Sequence, residues 1–249
     1  MQTPSPPHSA PTRPSTVPET FASGWGRSCT ATRHPPDKPP DAGVVQTGGV
    51  DFFCYHRDRP GSAALREELA EEHWSYMDRY QAEMIARGPT MTDDGETATG
   101  SVHIVGLPDP EAARAFAFNE PNYQAGVYRD VLLRRWRNLL GRTMWDFAGG
   151  RAGGNRYLVL GLGTGQAADL AVPSGRDELI AYGPLLSDNG ATWLGTAVLL
   201  RAPDPGTARA ILTAGRYADI EVHDWQFGGR LLKPSSSARP SITDYRPRP

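Results

Sequence analysis

Of the six histidines in this 249-residue chain, three sit where an imidazole could do chemistry: His73, His103 and His56. His73 lies four residues after Leu69 and three before Tyr76. That places it on the apolar stripe of a predicted helix also carrying Leu65, Met77 and Tyr80. Burial disfavours an imidazolium and a neighbouring carboxylate favours it, so a histidine there is tunable around neutral pH as a general acid or base. The ordinary alternative is a core histidine satisfied by one hydrogen bond, and the residues alone lean that way. His103 and His56 fall on neighbouring predicted strands, but no third ligand stands at useful spacing, so no metal is expected. Tyr55 and His103 are candidates to line a substrate pocket, with core packing as the alternative. Arg134, in Arg134-Arg135-Trp136-Arg137, shares a strand face with Trp136 and is a candidate for capturing an anionic substrate. The other reading of Arg134 is a solvated strand edge, or a pair with Asp130 or Asp146. His223 has no evident partner and reads as structural. Gly161-Leu-Gly163-Thr-Gly165 lacks the Lys-Ser/Thr of a phosphate loop and reads as a turn.

The composition narrows the class of protein that must position these residues. The chain is 39% apolar and 22% charged with a formal net charge of -2, which argues against a dedicated nucleic-acid binder. No apolar run is long enough to span a membrane, and no basic start precedes an apolar stretch, so a soluble cytoplasmic protein is expected. Cys29 and Cys54 cannot build a disulfide framework. Ten of the 23 prolines lie between Pro4 and Pro40, where aliphatic residues are scarce. Residues 1–49 therefore read as a disordered tail, and residues 231–249 as a flexible end.

Between the tails the chain repeats itself. Gly88-Pro89, Asp93, Gly95 and Gly100 recur as Gly183-Pro184, Asp188, Gly190 and Gly195, each 95 residues later. Pro108-Asp109-Pro110 and Ala113-Arg114-Ala115 recur at the same offset. After a short deletion the offset becomes 89, matching Gly126 to Gly215 and Trp136 to Trp225. One register held across several elements reads as a tandem duplication, with domains at 50–148 and 155–230 joined through Gly149–Gly154.

Each repeat reads as β-α-β-β-α-β. Asp51–His56 is the first strand; Ser62 is the expected cap of the following helix, which Gly88-Pro89 ends. Asp93-Asp94-Gly95 is a hairpin turn, and Asp109-Pro110 and Asp204-Pro205 each open a second helix. The strands Phe52–Tyr55, Tyr157–Leu160 and Ala197–Leu200 are apolar on both faces, so a second face must also be covered. The expected fold is α+β: two ferredoxin-like units packed sheet to sheet as an intrachain dimeric α+β barrel. Leu139–Ala148 is too apolar for a linker and is expected to pack as an arm. Such an intrachain pseudo-dimer leaves a monomer or a homodimer open.

The order His73, Gly88-Pro89, Asp94-Gly95, Gly100-Ser101, Glu120-Pro121, Ala125-Gly126 resembles the YciI-like, YCII-related domain family, well over 51–137 and only partly over 156–227. The resemblance implies a dimeric α+β barrel and a histidine–aspartate pair in a pocket. Carried over residue by residue, the histidine is His73, and the aspartate falls on Glu120, one methylene longer. The second copy has a shorter first helix with no histidine and lacks the Glu-Pro, so one site is expected, in the first copy. The implied function is a small cofactor-independent enzyme in which His73 and Glu120 perform acid/base chemistry of isomerase, lyase or dehalogenase type on a small anionic molecule. The alternative is a non-catalytic ligand-binding or scaffold module.

Overall fold

The computed structural model describes residues 49–163, 166–174 and 177–230. The expectations for residues 1–48 and 231–249, and for the end of the Gly161–Gly165 stretch, fall outside the described residues. The first half contains β1 (Val50–Asp58), α1 (Ala63–Glu68), α2 (Ala70–Asp78), β2 (Met84–Met91), β3 (Ala98–Leu107), α3 (Pro110–Phe118), α4 (Pro121–Gln124) and β4 (Tyr128–Trp136). The second half contains β5 (Arg156–Gly163), β6 (Leu179–Leu186), β7 (Trp193–Arg201), α5 (Pro205–Arg209) and β8 (Tyr217–Trp225). This is an antiparallel, sheet-rich α+β fold with few helices.

All eight strands join in one closed barrel, in the order β1-β3-β2-β8-β5-β7-β6-β4. The two sheets thus do not stack as separate layers. They fuse edge to edge at two short seams, Thr90–Trp225 with Met91–Asp224, and Arg135–Leu186 with Trp136–Leu185. Closure removes the sheet edges that would otherwise expose unpaired backbone. It also explains strands that are apolar on both faces. Phe53, Tyr55 and Ile104 point into the barrel with Leu158, Leu160 and Leu199, while Phe52 and Cys54 point outward against Tyr76, Met77 and Phe116. The arm after β4 contributes Met144 and Phe147 to the interior.

Several local expectations change. Asp109 caps α3 by accepting from Glu111 and Ala112 N–H, and Asp204 caps α5 from Thr207 N–H, as Asp-Pro pairs predict. Ser62 makes no cap bond and instead donates to the Arg59 carbonyl. Gly88-Pro89 does not end a helix but lies inside β2, because helical structure stops at Asp78. In the second half no helix is found between β5 and β6 among the described residues, so that half departs from β-α-β-β-α-β.

Gly88 and its counterpart Gly183 have a reason in the seams rather than in helix termination. A Cβ at Gly88 would sit 1.9 Å from the Gln226 carbonyl oxygen, and one at Gly183 would sit 1.9 Å from that of Arg137. The chain leaving each last strand therefore crosses the other half's β2-type strand with backbone against backbone. Gly88→Ala and Gly183→Ala are each expected to lower unfolding free energy in urea by roughly 1–3 kcal/mol or more, the cost of overpacking a site that cannot relax. Unchanged midpoints would contradict this account of the seams.

Candidate functional site

The site is built on the outward face of the first half's sheet, beneath its helices. α2 carries His73, and Glu120 stands at the start of α4, where Pro121 fixes the first helical position. Glu120 is fully buried, and its two carboxylate oxygens have different duties. Oε2 accepts from the Tyr123 backbone N–H at 2.8 Å, capping α4. Oε1 lies 2.5 Å from His73 Nδ1, whose side chain is 12% exposed. The longer glutamate thus reaches the histidine while still capping its helix. Burial pushes the Glu120 carboxyl up, but the hydrogen bond and charge of His73, with help from His56 and the Tyr123 N–H, more than offset this and leave it below its ordinary value.

Two further histidines stand behind the pair. His103 on β3 is buried with its ring 5.7 Å from that of His73, and His56 on β1 lies 6.0 Å from His103. Burial holds His103 well below its usual range and lowers His56 to about 4, so both rings are neutral at physiological pH. His56 Nε2 donates to the Ala117 carbonyl at 2.9 Å. Cys54 is buried and its thiol is pushed up, chiefly by burial, which removes it as a nucleophile. Among the described residues no group of three or more His, Cys, Asp or Glu side chains is placed to hold a metal ion.

His73 and His103 line a cavity of about 660 Å³. Its deep end is polar: Arg66 donates to Ser101 Oγ at 2.6 Å and to Asp58, and Asn122 also borders it. Burial raises the Asp58 carboxyl to about 6, against the pull of Arg66. Met77, Trp74 and Phe227 supply apolar wall, and the exposed Glu67 and Glu96 also line the cavity. Three buried atoms of residues lining this cavity, Arg87 Nε, His103 Nδ1 and Asn122 Oδ1, have no protein partner among the described residues.

The structure therefore brings His73, Glu120 and His103 together and leaves two candidates elsewhere. Tyr55 points into the barrel, where its hydroxyl meets Thr90 Oγ1 at 3.2 Å, and it borders a different hollow with Arg57 and His223. Arg134, opposite Phe53 in the β1–β4 ladder, donates to the Leu133 carbonyl and does not line the His73 cavity. His223 does have a partner, since its Nε2 lies 2.9 Å from Glu221 Oε2. Arg66, Ser101, Asn122 and the Phe227–Gly229 segment were not singled out from sequence as site residues. Arg66 sits one residue from the apolar stripe, and the other three carry no local pattern that announces a pocket.

Comparison with known proteins identifies the segment that carries these residues. Residues 50–137 match the YCII-related domain. An uncharacterized protein of Haemophilus influenzae is 27% identical over 95 residues, which is 35% of this chain and 97% of that protein. The structure of 5-chloro-2-hydroxyhydroquinone dehydrochlorinase from Burkholderia phenoliruptrix AC1100, in complex with 2,5-dihydroxybenzoquinone, is 28% identical. That match covers 35% of this chain and 94% of the other, with a TM-score of 0.34. No helix among the described residues is long and apolar enough to cross a membrane. The histidine, the glutamate and the strands beneath them all fall between residues 50 and 137, and this segment is a YCII-related domain.

Proposed function

We propose that the chain is a small-molecule enzyme in which His73 is the general base and acid and Glu120 its orienting carboxylate. The observation that carries this reading is the 2.5 Å contact between Nδ1 of His73, which lines the cavity, and the carboxylate of Glu120, which is fully buried behind it and does not line the cavity. With Nδ1 carrying its hydrogen toward Glu120, Nε2 is left with a lone pair for a substrate proton. His73 takes a proton from a substrate carbon and the electron pair of that C–H bond moves into a new double bond. Either a neighbouring leaving group departs with its bonding pair, giving elimination, or the proton returns at another carbon, giving isomerisation. The carboxylate stabilises the imidazolium formed in the first step. Arg66 and Ser101 at the deep end suit an anionic or hydroxylated substrate, and the unpartnered His103 Nδ1 and Asn122 Oδ1 add polar capacity there. Tyr55 and Arg134, which do not border this cavity, are left out of the binding set.

The second half is read as a duplicated copy without a site of its own. The support is the shared strand order, β4-β1-β3-β2 and β8-β5-β7-β6, together with the constant sequence offsets.

The test is solvent deuterium incorporation, or halide release, across a panel of small enolisable and halogenated acids and hydroxyaromatics. That panel includes 5-chloro-2-hydroxyhydroquinone. His73→Gln is expected to lose roughly 10²–10⁴ in rate on whichever compound turns over, the usual worth of a positioned acid/base group. Undiminished turnover would remove His73 from the mechanism. Glu120→Gln also reports the pair independently of any substrate. A carboxyl held below its ordinary value stabilises the fold above that value and loses the contribution as pH falls through the lowered one. The variant is therefore expected to be less stable than the parent at neutral pH and to converge with it in acid, measured by urea unfolding. A gap that persists in acid would place the effect in packing rather than charge.

A further inference from the structure

The two chain segments that leave β4 and β8 cross over to opposite halves in the same way. Leu139 N–H donates to the Tyr182 carbonyl at 3.0 Å, and Gly228 N–H donates to the Arg87 carbonyl at 2.9 Å. These bonds correspond position by position at the sequence offsets of 89 and 95. What the segments carry differs. The first half's segment places Leu139 and Leu140 against the second half's outer cluster, beside Tyr182 and Leu212. The second half's segment has Gly228 and Gly229 at the corresponding positions, and these two glycines, with Phe227, line the His73 cavity. Within this segment Arg230 reaches α2, the helix that carries His73. Arg230 contacts Glu71 at 2.5 Å, Asp78 at 3.2 Å and Ser75 at 3.1 Å, and lies over the exposed Trp74 ring at 5.8 Å.

We infer that Gln226–Arg230 of the second half is a wall and strap for the first half's site, and that Arg230 sets access to His73. The inference rests on the reading of His73 and its cavity as the working site, and it gives the second half a role: the site is incomplete without it. Paired glycines leave the volume that leucines fill on the opposite side. Phe227 anchors the strap, since its ring packs onto the barrel cluster and lies 5.1 Å from that of Trp225. The Arg230 contacts with α2 are exposed, so they are weak enough to open and close around a small molecule. Phe227 and Trp74 bound the mouth, so the strap selects for compact or flat molecules.

Access is read without any substrate by the rate at which diethyl pyrocarbonate modifies His73 in the full chain, followed by peptide mass spectrometry. His223, which lies outside the cavity, is the internal reference. Arg230→Ala is expected to raise the His73 rate relative to His223 by roughly two- to five-fold, the range an exposed ion pair can hold. Arg230→Glu, set against Glu71 and Asp78, is expected to raise it further. A His73 rate unchanged in both variants, or a rise shared equally by His223, would overturn the inference. Because the readout is chemical modification, a failure here is separable from a failure of His73 to act in turnover.

Discussion

A carboxylate with no exposed surface has to be paired, because an isolated buried charge costs several kcal/mol. Glu120 meets this demand with two donors from different parts of the chain, the Tyr123 N–H of its own helix and the imidazole of His73. The first bond fixes the start of α4, and the second ties α2 to it. Burial disfavours charge on the rings of His103 and His56 that pack below the pair. Much of the geometry over the first half's sheet follows from satisfying one negative charge. The same arrangement sets the His73 ring in the lining of a cavity that also carries His103, Arg66 and Ser101.

The barrel supplies the rigid floor for that pair. Each half alone would present an apolar sheet face to water, and joining the halves at two seams buries both faces in a shared interior. The seams need glycine where the crossing backbone comes closest to the opposite strand, at Gly88 and Gly183. The halves are unequal on their outer faces. Over the first half, residues of α1, α2 and α4 border a cavity together with β2, β3 and the Phe227–Gly229 segment. Over the second, α5 and the two leucines of the first half's arm cover the cluster around Tyr182 and Leu212. Asp169 also lies there, accepting from the Tyr217 hydroxyl at 2.7 Å and from Thr213. Its carboxylate has protein donors rather than a histidine.

Much of this was legible in the residues. Apolar runs on both strand faces required a doubly covered sheet, and the 95- and 89-residue offsets aligned the halves. The Asp-Pro pairs marked two helix starts. Pairing His73 with Glu120 required the family pattern, because 47 positions separate them and nothing local links a helix histidine to a distant cap. Gly88-Pro89 misled because glycine before proline reads as a helix stop, whereas the glycine is needed for a contact with a residue more than a hundred positions away. Tyr55, a candidate for pocket lining or core packing, faces the barrel interior; alternation separates the two faces without saying which one bears the pocket. Arg134 shares that interior-facing side. The strap was invisible for the same reason as the pair: its meaning lies in what it crosses.

The central claim is that Glu120 holds His73 as the Nδ1–H tautomer, leaving Nε2 unprotonated toward the cavity. Long-range ¹⁵N–¹H correlation spectra of the full chain at a pH where the ring is neutral read this directly. The account predicts a protonated Nδ1 and a pyridine-like Nε2 for His73, an assignment lost in Glu120→Gln. A His73 ring carrying its hydrogen on Nε2, unaffected by that substitution, would contradict it.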